Sequence, residues 1–298
     1  MPRLSGRYAF IEQLLAEGVT HVFGNPGTTE QGFQDALQEY PQLQYVLALQ
    51  ESIAIGAADG FARARGKPAF AQVHIMPGLG NAMGMLYNSY RMRTPLVVYA
   101  GQHPQRGNSQ EPILAGDLVR LAEPVTKWAV EAQDANEIPI LLRRAFKTAM
   151  EPPRGPVFVA VPTNVMDEES AADIVPSTPA DTHVHASTDV IERIASALLE
   201  ARSPVIICGD GVAVAGGQGE LVQLAEAIGA RVHSSFAAEL PFPSAHPLYA
   251  GLLNVVSAPA LKGQLSSADL IFAVGTPVLP LLFPIDESPF ADGAKLIH

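Results

Sequence analysis

Three short stretches of the chain gather residue types that can grip a ligand or move a proton. The first is Asn25-Pro26-Gly27-Thr28, where a strand ending in Phe23-Gly24 turns sharply into a helix. Such a loop lies at a strand's carboxyl end, where open α/β sheets bind ligands, and Gly27 permits close backbone approach. An ordinary βα turn with Thr28 or Thr29 capping the helix accounts for the same residues. The second is Glu51, followed by seven uncharged residues from Ser52 to Ala58. A helix without a polar face is expected to be buried all round, which would set the carboxylate at its start among apolar neighbours. Keeping it charged there is costly unless the helix N-terminus or a ligand proton compensates, so it is suited to sharing a proton with a bound heteroaromatic nitrogen. Attraction of a first-turn glutamate to the helix dipole is the simpler reading. The third is His74, at the end of an apolar strand and ahead of Gly78-Leu79-Gly80-Asn81-Ala82-Met83-Gly84. A histidine there can merely donate to a backbone carbonyl. The glycines lack the third glycine and downstream acid of a dinucleotide fingerprint, which weakens a nucleotide-dependent oxidoreductase. What favours function is convergence, since three strand ends each bring a special residue to one crevice.

The elements that must position these residues alternate helix and strand, the pattern of parallel sheets covered on both faces. Helices are expected over Tyr8 to Glu17, Glu30 to Tyr40, Glu51 to Arg65, Asn81 to Tyr90 and Glu137 to Met150. Strands are expected at His21 to Phe23, Tyr45 to Leu49, Ala69 to His74, Pro95 to Ala100 and Pro156 to Val161. Residues 169–187, rich in Ser, Thr, Ala, Pro and Asp, read as a linker over the surface. A second α/β unit follows, with helices over Val190 to Ala201 and Glu220 to Ile228. Its strands are expected at Val205 to Cys208, Arg231 to His233 and Leu270 to Val274. The fold class is α/β with two doubly wound parallel-sheet domains, residues 1–168 and 188–298. The second is expected to be incomplete at its C-terminus, because the chain stops on the strand-like Ala294 to His298, which marks it as part of something longer.

Composition narrows the function classes. Of 298 residues 48% are hydrophobic and 16% charged, which supports a large core and about two domains at roughly 150 residues each. A net charge of −11 with scattered Lys and Arg argues against nucleic acid as a partner. One cysteine, Cys208, excludes an internal disulfide framework and, in its apolar setting, reads as an inert buried thiol. No apolar leader and no run of about 18 apolar residues occurs, so neither secretion nor a membrane span is supported and a cytoplasmic protein is expected.

The order Gly24-Asn25-Pro26-Gly27, Leu49-Gln50-Glu51, Ala58-Asp59-Gly60-Phe61-Ala62, His74 and Gly78-x-Gly80-Asn81-Ala82-Met83-Gly84 resembles the pyrimidine-binding domain of thiamine-diphosphate enzymes, and most nearly the benzoylformate decarboxylases. Pro95 to Val98, Ala100-Gly101-Gln102, Lys127-Trp128 and Gly155 to Pro162 extend the likeness to about residue 165. Pro204-Val205-Ile206, Gly209 and Gly275-Thr276-Pro277-Val278 are similar to the family's middle domain. The resemblance implies a cofactor, thiamine diphosphate, and a lyase that splits a 2-oxo acid into an aldehyde and carbon dioxide. It makes Glu51 the glutamate that bonds the aminopyrimidine N1′ and so promotes loss of the thiazolium C2 proton. It makes His74 a proton-handling group beside the substrate, a residue that acetolactate-synthase-type enzymes lack. Asn25, Pro26, Gly27 and Asn81 match positions lining the pyrimidine side of the pocket, and Thr28 and His74 the substrate side. The family's active site lies between two subunits, implying a homodimer or tetramer.

Several residues depart from the pattern. Thr28 stands where benzoylformate-type enzymes have serine, and Leu279-Pro280-Leu281-Leu282-Phe283 lacks the histidine that they take from the middle domain. An aryl-glyoxylate substrate is thereby put in doubt. Gly209-Asp210-Gly211 imitates the start of the family's diphosphate and magnesium motif, but no asparagine pair follows in His233 to Glu239. It reads instead as a strand-end turn with Asp210 as a turn or cap residue. Ligands for Mg²⁺ are therefore not identifiable in this chain, and the resemblance assigns them to a further domain. Without that domain the isolated chain is expected to be inactive. Two rivals stand beside the decarboxylase: a carboligase of the acetolactate or glyoxylate type, and a non-catalytic dimerising module.

Overall fold

The computed structural model describes residues 4–178, 182, 184–236 and 239–298. The chain divides into two compact units, residues 1–182 and 183–298, each with its own parallel sheet. In the first, β1 (Leu4–Ser5) runs into α1 (Gly6–Ala16), followed by β2 (His21–Gly24), α2 (Gln31–Leu37) and β3 (Gln44–Leu47). Next come α3 (Glu51–Arg65), β4 (Ala69–Val73), α4 (Ile75–Arg91) and β5 (Leu96–Gln102). The unit ends with α5 (Leu118–Ala122), β6 (Trp128–Glu131), α6 (Glu137–Met150), β7 (Val157–Pro162), α7 (Thr163–Asp167) and β8 (Glu169–Ser170).

Six of these strands form one sheet in the order β3-β2-β4-β5-β7-β6, all parallel. The central strands are apolar throughout because both faces are covered. On one face Phe70, Val97, Tyr99, Val157 and Val159 meet Phe10, Phe33 and Leu142 from α1, α2 and α6. On the other Ala71, Val73, Val98 and Phe158 meet Ile55, Leu79, Leu86 and Leu118 from α3, α4 and α5. The chain leaves β2 for the edge strand β3 and returns on the opposite side to β4. The sheet's topological switch point therefore lies between β2 and β4, the position at which such sheets hold ligands.

Three expectations change in this unit. The α3 helix is buried on one face only: Ala54, Ile55, Ala58 and Ala62 lie against the sheet, while Ile53 is 58% exposed. The outward side of the helix, at Ile53, Ala57 and Gly60, is apolar and exposed. The α4 helix starts at Ile75, not near Asn81, so Gly78 and Gly80 are helical. Pro77 is tolerated because N–H groups in a helix's first turn have no intrahelical acceptor to lose. Finally, part of the expected linker is fastened to the unit. β8 pairs with β1, Gln13 exchanges hydrogen bonds with the Val175 backbone, and Glu17 accepts from the Ser177 amide and hydroxyl. Gln13 is fully buried and its amide needs those partners.

The second unit contains α8 (Thr188–Glu200), β9 (Pro204–Cys208), α9 (Asp210–Val214), α10 (Gln218–Ile228) and β10 (Arg231–Ser234). It continues through β11 (Tyr249–Leu252), α11 (Ala258–Leu265), β12 (Leu270–Val274) and β13 (Lys295–Ile297). Its parallel sheet has the order β11-β10-β9-β12-β13. Cys208 is buried in β9 and burial pushes its thiol up to about 12, as an inert core cysteine requires.

Candidate functional site

Glu51 opens α3 immediately beyond Gln50, whose side chain turns back to accept from the Ser52 amide at 2.7 Å and caps the helix. The glutamate is 4% exposed. Two side-chain amides compensate its carboxylate: Asn25 Nδ2 donates to Oε1 at 3.2 Å and Asn81 Nδ2 donates to Oε2 at 3.0 Å. Asn25 comes from the loop after β2 and Asn81 from the second turn of α4, so three separate elements meet on one carboxyl group. Gly78 allows that meeting, because a Cβ there would stand 2.7 Å from Glu51 Oε1. With about four acceptor sites on a carboxylate, the two amides leave Glu51 able to bond a further donor.

His74 follows β4 on the neighbouring side of the switch point, with its side chain 20% exposed. The next residue, Ile75, has φ +33°, a costly conformation for a β-branched side chain. Full burial of Ile75 among Leu79, Val98 and their neighbours holds the bend, which turns the chain abruptly from β4 into α4. His74 Nδ1 lies 2.8 Å from Glu30 Oε2, and Gly27 packs so tightly on the imidazole that a Cβ would collide with the ring. The loop Asn25-Pro26-Gly27 thus joins the two clusters, with Asn25 on Glu51 and Gly27 on His74. Asn25, Pro26 and Gly27 are partly buried, and Thr28 is exposed.

Sequence reasoning missed Glu30. It is fully buried, and its four contacts are Thr29 Oγ1 and the Gly101 amide on Oε1 at 2.7 Å each, with the Gly27 amide at 2.9 Å and His74 on Oε2. Its one sequence signal is position, three residues beyond Gly27, where a glutamate bonds back to the cap of a helix. That spacing predicts an exposed first-turn acid and says nothing of β5, which covers it through Gly101. Deeper still, Gln72 Oε1 accepts from Gln34 at 2.6 Å and from the Tyr45 hydroxyl at 2.8 Å. Burial, and after it the neighbouring Glu30 charge, pushes the Tyr99 phenol well above its ordinary range.

In the second unit Gly209-Asp210-Gly211 is the turn from β9 into α9, and Asp210 Oδ1 accepts from the Glu239 amide at 2.7 Å. The switch point of this sheet, between β9 and β12, is filled by backbone: Gly211 N donates to Gly275 O at 2.8 Å, and a Cβ on Gly211 would stand 2.7 Å from Gly275 Cα. Among the described residues no group of three or more His, Cys, Asp or Glu side chains could hold a metal ion, and no helix is long and apolar enough to cross a membrane.

Fold and site together define an α/β protein with a buried carboxylate beside the switch point of its first sheet. Residues 4–120 match the thiamine pyrophosphate enzyme N-terminal TPP binding domain, and residues 191–298 match the thiamine pyrophosphate enzyme central domain. The chain is 35% identical over 276 residues to benzoylformate decarboxylase of Pseudomonas aeruginosa, covering 91% of this chain and 51% of that protein. It is 31% identical over 301 residues to a probable acetolactate synthase large subunit of Methanocaldococcus jannaschii, covering 99% of this chain and 51% of the relative. A crystal structure of a putative thiamin diphosphate-dependent enzyme from Mycobacterium smegmatis superimposes with a TM-score of 0.90 at 34% identity, covering 99% of this chain and 56% of the other. The chain belongs to the thiamine pyrophosphate enzyme family. It spans about half the length of the curated relatives it matches.

Proposed function

We propose that this chain supplies the pyrimidine half of a thiamine diphosphate site in an enzyme that decarboxylates a 2-oxo acid to an aldehyde and carbon dioxide. The observation that carries this reading is Glu51, a water-shielded carboxylate at a helix N-terminus, steadied by two amides and still able to bond a ring nitrogen. When bound, the coenzyme supplies a thiazolium ring that takes up the electrons released as carbon dioxide leaves. Glu51 would hold the proton shared with the pyrimidine. Asn25 and Asn81 orient its two oxygens, and the backbone at Pro26 and Gly27 lines the same edge. His74, partly exposed beside that loop, would hand protons to the substrate, with Thr28 at the mouth.

Similarity to benzoylformate decarboxylase supports the decarboxylase reading, as does the presence of His74. The substrate class stays at 2-oxo acids, because Leu279 to Phe283 offers no second histidine. A carboligase that captures a second carbonyl in place of a proton is the alternative, supported by the acetolactate synthase relative. Two further parts belong to the proposal. Mg²⁺ and the diphosphate would be held by residues outside these 298, and Leu47 (62% exposed), Leu49 (88%) and Ile53, apolar and adjacent to Glu51, would be covered in a homodimer or a dimer of dimers. A lone buried thiol fits a cytoplasmic setting.

The test is turnover of 2-oxo acids by the complete protein and by its Glu51→Gln variant, with products identified. The variant should retain its fold and lose about a hundredfold or more in kcat. Undiminished turnover would remove Glu51 from the chemistry, and hydroxy-ketone products without free aldehyde would favour the carboligase.

A further inference from the structure

We propose that Glu30 is a positioning residue that fixes His74 as the Nδ1-protonated tautomer and leaves Nε2 as the nitrogen available to whatever enters the crevice. The inference begins with hydrogen-bond bookkeeping at a carboxylate that water cannot reach. Glu30 Oε1 receives the Gly101 amide and the Thr29 hydroxyl, and Oε2 receives the Gly27 amide and His74 Nδ1. Backbone amides can only donate, and one is aimed at each oxygen. Three donors besides the imidazole converge on the group, which matches a carboxylate, an acceptor at both oxygens, and the imidazole then brings the hydrogen to their shared contact. The other ring nitrogen is then the one left to accept or deliver a proton.

The surroundings hold this arrangement from every direction. Gly27 and Gly101 donate to different oxygens, and neither position has room for a side chain: a Cβ on Gly27 meets the His74 ring, and one on Gly101 lies 2.7 Å from Glu30 Oε1. Thr29 is buried beside Glu30 on the same turn. Four features that look unrelated in sequence, Gly27, Glu30, His74 and Gly101, thus serve one imidazole. A further element of the fold, β5, takes part in a site otherwise built from β2, α3 and the β4–α4 bend. The kinetic role rests on the decarboxylase reading above, but the tautomer does not.

The decisive measurement is nitrogen-15 NMR of the histidine-labelled 298-residue chain at about pH 8, where an ordinary imidazole is neutral. His74 is assigned by the signals lost in His74→Ala. The expected pattern is a single Nδ1–H tautomer for His74, opposite to the form that free imidazole side chains favour in water. Finding Nε2–H in the unaltered chain would overturn the proposal without any variant having to fold. In Glu30→Met, which removes both acceptors, the Nδ1–H form should give way to Nε2–H, and persistence of Nδ1–H would also overturn it. In the complete protein His74→Ala and Glu30→Met should each lower kcat by about a hundredfold, and the double variant should be no slower than His74→Ala alone. Losses that multiply would mean that Glu30 acts by some route other than His74. If the unaltered complete protein turns over no 2-oxo acid, the decarboxylase reading fails while the NMR result still decides the tautomer.

Discussion

Gly78 and Glu51 share a space that fits them only as they are. Alanine at position 78 would favour the α4 helix by up to about 1 kcal/mol, since glycine is a poor helix former. The added Cβ, however, stands 2.7 Å from Glu51 Oε1 and 3.1 Å from its Cδ, and the buried carboxylate has to give way. Stability and function should therefore part company in Gly78→Ala. Its unfolding free energy should stay within about 1 kcal/mol of the unaltered chain by urea titration. Turnover by the complete protein should fall about a hundredfold, as when a proton-transfer group is misplaced. A variant that keeps its turnover would show that Glu51 need not occupy the position held by Asn25 and Asn81. The same reasoning separates Gly78 from Gly80, whose Cβ would meet nothing. Spacing alone cannot rank two glycines in one motif, but their neighbours can.

At the scale of elements, what was legible followed from hydrophobic pattern. Apolar runs such as Leu96 to Ala100 and Val157 to Val161 need cover on both faces, and that requirement gave the parallel sheets and the crevice at their carboxyl ends. What was not legible depended on partners distant in sequence. Glu30 reads as a helix-cap acid until β5 is laid over it, and Pro77 with two glycines reads as a loop where α4 has already begun. The short strand Tyr249–Leu252 carries no apolar alternation of its own and is recruited by its neighbour β10. On β10 itself, His233 donates from Nδ1 to the Gly251 carbonyl at 3.2 Å, while its buried Nε2 has no partner among the described residues. Burial, the largest influence, lowers its pKa, and Arg231 acts in the same direction. The folded form thus takes up a proton at lower pH than the unfolded chain. Its contribution to stability is complete above the ordinary histidine value of about 6.5 and is lost as the pH falls below it. Amide exchange along β9 and β10 should accelerate between about pH 7.5 and pH 5.5 beyond its intrinsic pH dependence, and His233→Gln should flatten that excess. An equal excess in the variant would assign the effect to other groups.

For the molecule as a whole, the two sheets differ in strand order, but each has a switch point, and the two switch points are put to different uses. The chain path reverses between β2 and β4 in the first unit and between β9 and β12 in the second. The first switch point holds a buried carboxylate with bonding capacity to spare, whereas the second is closed by Gly211 pressed on Gly275. On the proposed reading, thiamine diphosphate brings a pyrimidine to the first and a polyanion that neither is built to hold. With a net charge of −11, the chain repels that polyanion at long range. Mg²⁺ carries a diphosphate through oxygen ligands, and among the described residues no cluster of three or more acidic or histidine side chains is placed to provide them. Calorimetry on the 298-residue chain should therefore give a Kd on the order of 1 mM for thiamine diphosphate, close to that for the pyrimidine fragment alone. Added Mg²⁺ should not improve it, and moderate salt should strengthen it by screening the repulsion. Micromolar, Mg²⁺-dependent binding would place a diphosphate site within these residues and overturn the proposal that the diphosphate is held outside them.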